Sequence, residues 1–225
     1  MDALALLIDF GGTLDADGAP WVDRFYQLYQ DAGGVAERSE FRAAFAASDK
    51  ALESVPGIAS FDYSATVAKQ AELLAVGLAD GALLRDAELA DRFVDDAMKI
   101  ADRNRPVLLE LADAFQLAVV SNYQGNLQPC LDELGLSNLF DVVSDSEIVG
   151  WRKPDRRIFD ATIQGLDVTA AQCWMIGDSP PNDIAGAAAL GMRTCWMAPA
   201  ERAATGIAPT VRVERFDQVP QVLAA

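Results

Sequence analysis

Histidine is absent from this chain of 225 residues, and its absence excludes whole classes of active site. Serine or cysteine nucleophiles activated by histidine cannot occur, and neither can zinc sites that need an imidazole ligand. Any chemistry must therefore use carboxylates, hydroxyls, lysine, cysteine or a metal ion bound by oxygen atoms.

Cysteine is scarce, and long apolar runs are missing as well. The three cysteines, Cys130, Cys173 and Cys195, are far apart and form no disulfide or metal-binding pattern, which is typical of a reducing compartment. No apolar stretch approaches the ~18 residues that cross a bilayer. The first run, residues 3–8, is too short for a signal peptide. We therefore expect a cytoplasmic protein with no membrane partner.

Positive charge is also in short supply. The chain has 18 Lys and Arg residues against 34 Asp and Glu residues, a formal net charge of -16. A surface of this sign repels phosphate backbones, so we expect no nucleic-acid partner. The balance is compatible with binding Mg²⁺, although an acidic surface more often only keeps a protein soluble.

The first part of the chain predicts one strand followed by a helical block. Residues 3–8 are apolar without alternation, which indicates a strand buried on both faces. This strand stops at Asp9, and Gly11 and Gly12 then indicate a tight turn. From about residue 20 to 102, apolar residues recur at helical spacing, which predicts about four amphipathic helices.

The rest of the chain alternates between strands and helices. Pro106 is predicted to be the first residue of a helix. Strands are expected at 116–121, 141–144, 172–177, 193–197 and 210–213. Helices are expected at about 125–135, 155–165, 182–190 and 216–224. This alternation predicts an α/β fold: a Rossmann-like parallel-sheet core of residues 1–17 and 103–225, with an inserted α-helical cap at 18–102.

Polar side chains stand where three predicted strands end. Asp9 follows the first strand, Ser121 and Asn122 end the second, and Asp178 follows a later one. Ligands bind at the carboxyl ends of strands in open parallel sheets, so we expect these groups to converge. Lys153 lies between the second and third of these positions, just before a predicted helix.

Four segments, taken in order, resemble the motifs of the haloacid dehalogenase (HAD) superfamily of phosphatases and related hydrolases. They read IDFGGTL at 8–14, VVSN at 119–122, RKPD at 152–155 and IGDSPPND at 176–183. Each motif is weak alone, but four in the right order on the expected elements are specific. The helical insertion is similar to the small α-helical cap of one class of that family.

The resemblance implies a catalytic role for three residues. Asp9 resembles the nucleophile, whose carboxylate attacks phosphorus to give a phosphoaspartyl enzyme that water hydrolyses. Ser121 is expected to donate a hydrogen bond to a phosphoryl oxygen. Lys153 is expected to offset the repulsion between Asp9 and the anionic substrate.

The resemblance also implies a magnesium site and a phosphate cradle. The expected ligands of Mg²⁺ are Asp9, the backbone carbonyl of Gly11 and Asp178, with Asp183 as an outer acid, all of them hard oxygen donors. Three further residues are expected to bind substrate through side chains or the turn's N–H groups: Gly12, Thr13 and Asn122.

One position departs from the phosphatase pattern. The second residue after the nucleophile is there an aspartate that acts as general acid and base, whereas this chain has Gly11. Such catalysis contributes ~10²–10⁴-fold, so alkyl phosphates are expected to be poor substrates unless another group supplies the proton. Asp15 is the first candidate, followed by Asp17, residues of the cap and water.

Three functions stay open at this point. The first is a Mg²⁺-dependent hydrolase that removes phosphate from a small phosphorylated metabolite. The second is a hydrolase of other substrates, dehalogenase-like or phosphonatase-like. The third is a binding protein that keeps the fold without catalysis.

Overall fold

A computed structural model describes residues 4–78, 88–203, 206 and 208–223 of the chain. Within these residues, six strands form a single sheet in which all neighbouring strands are parallel. In chain order they are β1 (Ala5–Ile8), β2 (Gln116–Ser121), β3 (Val142–Asp145), β4 (Cys173–Gly177), β5 (Arg193–Met197) and β6 (Val211–Val213). Their order across the sheet, β3-β2-β1-β4-β5-β6, is that of the Rossmann fold, and the α/β prediction is confirmed.

Strand β1 lies at the centre of the sheet, where the strand order reverses. Ile8 pairs with Val119 of β2 on one side and with Ile176 of β4 on the other. All four residues of β1 are wholly buried, as expected for a strand covered on both faces. The expected start of this strand at residue 3 lies outside the described residues. The reversal leaves a crevice beyond the ends of β1, β2 and β4.

Helices surround the sheet and form the block between β1 and β2. In chain order they are α1 (Trp21–Asp31), α2 (Arg38–Leu52), α3 (Tyr63–Gly77), α4 (Leu89–Ala112), α5 (Leu127–Glu133), α6 (Ser146–Val149), α7 (Arg156–Gly165), α8 (Ala185–Ala188) and α9 (Val219–Leu223). Two irregular turns, Phe10–Leu14 and Pro180–Ile184, follow β1 and β4. Over the described part of the chain, no helix combines the length and apolar character needed to cross a membrane.

Helix α4 crosses the expected boundary between cap and core at residues 102/103. Pro106 lies inside this helix and not at its start, so that prediction was wrong. The reason is a continuous buried stripe that passes the proline at spacings of three and four residues: Phe93, Ala97, Ala101, Asn104, Leu108 and Leu111. Packing along this stripe outweighs the one backbone hydrogen bond that a proline removes.

The sheet packs differently on its two faces. Leu6 and Ile8 point into the larger core, which continues into the helical block. Ala5 and Leu7 point to the opposite face, where Phe159 of α7 covers them. This alternation follows from the two-residue period of a strand, and it fixes the position of Asp9 at the rim.

The buried carboxylate of Asp15 ties the turn after β1 to the cap. Its Oδ2 accepts hydrogen bonds from Trp21 Nε1 and Tyr63 Oη at 2.6 Å each, and Arg24 Nη1 lies 3.4 Å away. Its Oδ1 accepts from the N–H of Gly12 at 2.6 Å. With four donors around it and no exposed surface, Asp15 is a structural anchor with no free oxygen directed at a substrate.

Tyr63→Phe removes one donor from this anchor without opening a cavity. A hydrogen bond to a charged group contributes ~1.5–3 kcal/mol, and we expect a loss of unfolding free energy in that range, measured by denaturant titration. Tyr26→Phe is the matched control, because the Tyr26 hydroxyl has no hydrogen bond within the described residues. A loss no larger than that of the control would contradict the anchoring role of Asp15.

Candidate active site

Asp9 stands at the end of β1 and is almost completely buried. Its backbone N–H donates to the carbonyl of Ile176, which continues the pairing of β1 with β4. Its Oδ1 accepts from Phe10 N at 2.8 Å and Ser121 Oγ at 3.0 Å, and it lies 2.7 Å from Lys153 Nζ. Its Oδ2 receives no hydrogen bond from the described residues. The donors therefore fix one oxygen and leave the other for chemistry.

Lys153 reaches Asp9 from the loop between α6 and α7. Its Nζ lies 2.7 Å from Asp9 Oδ1 and 2.7 Å from Asp183 Oδ1, and it donates to the carbonyl of Val120 at 2.8 Å. Burial lowers the pKa of Lys153, but the charges and hydrogen bonds of Asp183 and Asp9 outweigh this and raise its pKa overall. The charged ammonium form of Lys153 is therefore favoured.

Asn122 holds the backbone of Lys153 in place. Its Nδ2 donates to the carbonyl of Lys153 at 3.0 Å, and its Oδ1 accepts from the N–H of Lys153 at 2.7 Å. Both functional atoms of this side chain are therefore engaged with the loop. Asn122 lines the cavity, but its amide positions Lys153, and a direct contact with substrate stays a prediction.

Two further carboxylates come from the region after β4. Asp178 follows the strand directly, and Asp183 lies in the turn Pro180–Ile184, where its Oδ2 accepts from Ser179 N at 2.9 Å. One carboxylate oxygen each of Asp9, Asp178 and Asp183 lies within 4.8 Å of the other two. The sheet order thus assembles three acids that are up to 174 positions apart in the numbering of this chain, from 9 to 183.

The close approach of these acids disfavours their charged forms. Burial and the charges of Asp9 and Asp183 raise the pKa of Asp178 well above its ordinary value. Burial raises the pKa of Asp183 to about 6, although the charge of Lys153 opposes this. One ammonium group does not balance three carboxylates.

A divalent cation fits this imbalance. Buried carboxylates are the hard oxygen donors that Mg²⁺ prefers. One added divalent cation would neutralise the negative charge of the three carboxylates that Lys153 does not balance. Asp9, Asp178 and Asp183 would hold the metal, and the backbone carbonyl of Gly11 remains the further ligand that the sequence predicts.

Two glycines make room for the acids. Gly12 has φ +89, and a Cβ there would lie 2.9 Å from Asp178 Cγ. At Gly177 a Cβ would collide with the carboxylate of Asp183. Gly11 differs from both, because its φ of −69 and ψ of 121 suit any residue and its Cβ would come no nearer than 3.4 Å to Trp21 Nε1.

Gly12 and Thr13, the other two residues expected to bind phosphate, do not line the cavity. The N–H of Gly12 is taken by Asp15. Thr13 is wholly buried, and its hydroxyl has no hydrogen-bond partner among the described residues. A role for either in binding phosphate stays a prediction.

A cavity of about 280 Å³ opens over the carboxylates. Its floor comes from the core, and its walls include side chains of α1 and α2 from the cap. The wall residues that the sequence analysis did not predict include Trp21, Phe45, Asp49, Gln124 and Arg202. None of them belongs to a recognisable motif, so only the folded arrangement identifies them.

Arg202 brings a second positive charge to the cavity. Its Nη1 lies 3.8 Å from Asp178 Oδ2 and donates to the carbonyl of Gly18 at 3.3 Å. It lies in the segment after β5, where the sequence shows no functional pattern. A guanidinium here favours an anionic group on the bound molecule.

Comparison with known proteins places the chain among hydrolases. The family model described as haloacid dehalogenase-like hydrolase matches residues 4–191. Haloacid dehalogenase-like hydrolase domain-containing protein 3 of Bos taurus is 40% identical over 102 residues, which cover 45% of this chain and 41% of that protein. The pyrimidine 5'-nucleotidase YjjG of Escherichia coli is 33% identical over 111 residues, which cover 48% of this chain and 49% of that protein. These alignments span less than half of each relative.

Solved structures share the whole architecture. The protein YfnB of Bacillus subtilis, in a structure bound to magnesium, covers 100% of both chains with a TM-score of 0.62 at 22% identity. At this identity the likeness shows the fold alone. The expectation of a HAD-like core with a helical insertion is confirmed.

Asp183→Asn tests the electrostatics of the cluster through the pH dependence of stability. The pKa of Asp183 is raised from 3.8 to about 6, so the folded state binds more protons than the unfolded state between these values. The contribution of this carboxyl to stability therefore falls as pH rises through that window and is constant above it. We expect the stability of wild type relative to the variant to fall by at least ~1 kcal/mol from pH 4 to pH 7 in chelator.

Denaturant titration at each pH measures this difference, with the exposed Asp132→Asn as the control for loss of one charge. A relative stability that stays level or rises across the window would contradict the crowding of carboxylates around Asp183.

Proposed function

The chain belongs to the haloacid dehalogenase-like hydrolases, and from this premise we propose that it is a Mg²⁺-dependent phosphatase of a small phosphorylated metabolite. The observation that carries the proposal is the cluster of Asp9, Asp178 and Asp183, whose oxygens lie within 4.8 Å of one another. Displacement of a halide by Asp9 involves no phosphate dianion and so gives no reason for two further acids beside the nucleophile. A phosphate dianion next to three carboxylates does need a cation.

The first half of the proposed reaction uses Asp9 as the nucleophile. Oδ2, to which no described residue donates a hydrogen bond, attacks phosphorus in line with the leaving oxygen and forms a phosphoaspartyl intermediate. Ser121 and Lys153 hold Oδ1, so the carboxylate faces the phosphorus in one orientation. Bound Mg²⁺ supplies neutralisation of the phosphoryl charge.

The second half returns the enzyme to its starting state. A water molecule attacks the phosphorus of the intermediate, the bond between Asp9 and phosphorus breaks, and inorganic phosphate leaves. Lys153 stabilises the carboxylate that reappears, because its ammonium group is 2.7 Å from Oδ1. Both halves require a proton carrier, which the nucleophile's own turn does not provide.

The cavity supports a small, anionic substrate. Its volume of about 280 Å³ accommodates a metabolite, and Arg202 adds a cationic wall on the side of Asp178. The name of the Escherichia coli relative, a pyrimidine 5'-nucleotidase, indicates that the substrate of that protein is a phosphate ester. We extend the proposal to a cytoplasmic location, which the three buried free cysteines support.

Phosphate release from a mixed panel tests this function. The panel contains acetyl phosphate, an aryl phosphate, and sugar and nucleotide phosphates, each with Mg²⁺ and with chelator. We expect release that needs the metal and falls at least ~10³-fold in Asp9→Asn, because the nucleophile is gone. The exposed Asp31→Asn controls for loss of a charge and is expected to keep full activity.

Other outcomes would favour the two remaining functions. Chloride release from 2-chloropropionate without metal would overturn the phosphatase in favour of a dehalogenase. Absence of release from every substrate, in a protein whose thermal unfolding still responds to phosphorylated ligands, would point to a binding protein.

A further inference from the structure

We propose that Asp49 of α2 is the general acid and base that the turn after β1 lacks. The inference deepens the proposed phosphatase function and rests on it. It assigns proton transfer to a side chain of the cap that lines the same cavity as the nucleophile.

The turn after β1 offers no acid of its own for this work. Gly11 faces the cavity without a side chain. The carboxylate of Asp15, the first candidate from the sequence, is wholly buried and bound by four donors of the turn and the cap. Asp17 pairs with Arg103 at 2.6 Å and does not line the cavity. The proton carrier must therefore come from another element.

Only one other carboxyl lines the cavity within the described part of the chain. The four acids of its wall are Asp9, Asp49, Asp178 and Asp183. Three of them form the cluster around Lys153, where each has a neighbour of like charge and a role with the metal. Asp49 is the fourth, and it stands outside the cluster. Tyr123 also lines the wall, but its hydroxyl lies 3.5 Å from Cys130 Sγ in the protein interior.

The position of Asp49 suits a group that exchanges protons with a bound molecule. It lies near the end of α2 and is partly exposed, so its carboxyl reaches the cavity. Gln124 Nε2 donates to its Oδ1 at 3.5 Å, and this glutamine comes three residues after Ser121. This long hydrogen bond orients the carboxyl of Asp49 but leaves it free to exchange a proton. Oδ2 of Asp49 receives no hydrogen bond from the described residues.

Burial, and not the nearby charges, favours the protonated form of Asp49. Burial raises the pKa of Asp49, Arg152 opposes the rise and Glu53 adds to it. Arg152 is itself paired with Glu53 at 2.7 Å, so its charge is partly neutralised. The other cations of the cavity wall are Lys153, which is paired with two carboxylates, and Arg202 on the side of Asp178. A carboxyl that keeps its proton nearer to neutral pH is a better acid catalyst.

Protons and charges balance over the two steps. In the first step the bond between phosphorus and the leaving oxygen breaks, and the carboxylic acid of Asp49 gives its proton to that oxygen, which leaves as an alcohol. In the second step the Asp49 carboxylate takes a proton from the attacking water. The bond from Asp9 to phosphorus then breaks, phosphate is released, and both aspartates return to their starting forms.

The dependence of rate on leaving group tests this assignment. In wild type, kcat/KM is expected to depend weakly on the pKa of the leaving alcohol. In Asp49→Asn, kcat/KM for alkyl phosphates is expected to fall ~100-fold, whereas acetyl phosphate, whose leaving group needs no proton, changes less than ~3-fold. In wild type, kcat/KM for alkyl substrates should decrease as pH rises, because Asp49 loses its proton. This decrease should disappear in the variant.

Two further variants separate proton transfer from structure. Glu40→Gln removes a carboxylate from the same helix, nine residues earlier and about 13 Å along its axis, and is expected to leave the leaving-group dependence unchanged. Gly11→Asp in the Asp49→Asn background puts a carboxyl back on the turn, whose backbone accepts it. This double variant should regain at least ~10-fold of the lost alkyl-phosphate activity.

The inference would be overturned if Asp49→Asn lowered kcat/KM equally for acyl and alkyl phosphates, or changed only KM, because those results describe a binding or structural role. Failure of the proposed function looks different. In that case wild type would release no phosphate from acetyl phosphate, and Asp9→Asn would match wild type on every substrate.

Discussion

A single buried ammonium group, Nζ of Lys153, holds the site together. It lies 2.7 Å from a carboxylate oxygen of Asp9 and 2.7 Å from one of Asp183, and all three side chains are nearly inaccessible to water. Breaking a buried ion pair by removal of one partner typically costs ~3–5 kcal/mol, because the other charge stays buried and unpaired. Sheet order makes the contact possible, since β1 and β4 are neighbours and Asn122 at the end of β2 clamps the loop of Lys153.

The single ammonium group does not neutralise the three carboxylates of the cluster. This excess of negative charge lowers stability but serves the proposed function. Burial and mutual repulsion raise the pKa values of Asp178 and Asp183, so the acids are destabilising without a cation. A sequence selected for stability alone would replace one of them by an amide. Keeping all three acids is understandable if the site binds a divalent cation, whose binding free energy then favours the folded state.

Much of this arrangement could be predicted from sequence, because strands and their ends are local signals. The limits of β2 and β5 agree with the predicted segments 116–121 and 193–197. The convergence of Asp9, Ser121, Lys153, Asp178 and Asp183 follows from parallel strands whose carboxyl ends share one edge. The orientation of a side chain is not a local signal. Asp15 comes only six positions after Asp9, yet its carboxylate points to Trp21 and Tyr63 of the cap. Asp49 could not be predicted as a site residue either, because an acid near the end of an amphipathic helix belongs to no distinguishing sequence pattern.

Gly11, Trp21 and Asp15 together give a reason why a proton carrier would belong on the cap. Asp15 fixes the indole of Trp21 at 2.6 Å, and that indole lies beside the position a Gly11 side chain would take. The core turn is thus committed to anchoring the cap. In the proposed mechanism the nucleophile lies on the core and the proton carrier on α2, so the two groups would share one cavity only with the cap docked on the core. The ion pair of Arg152 with Glu53 is one contact between cap and core in this docked arrangement. An undocked enzyme could still phosphorylate Asp9 from an activated donor, but it could not protonate an alkyl leaving group. Docking would then select the substrate class as well as exclude water.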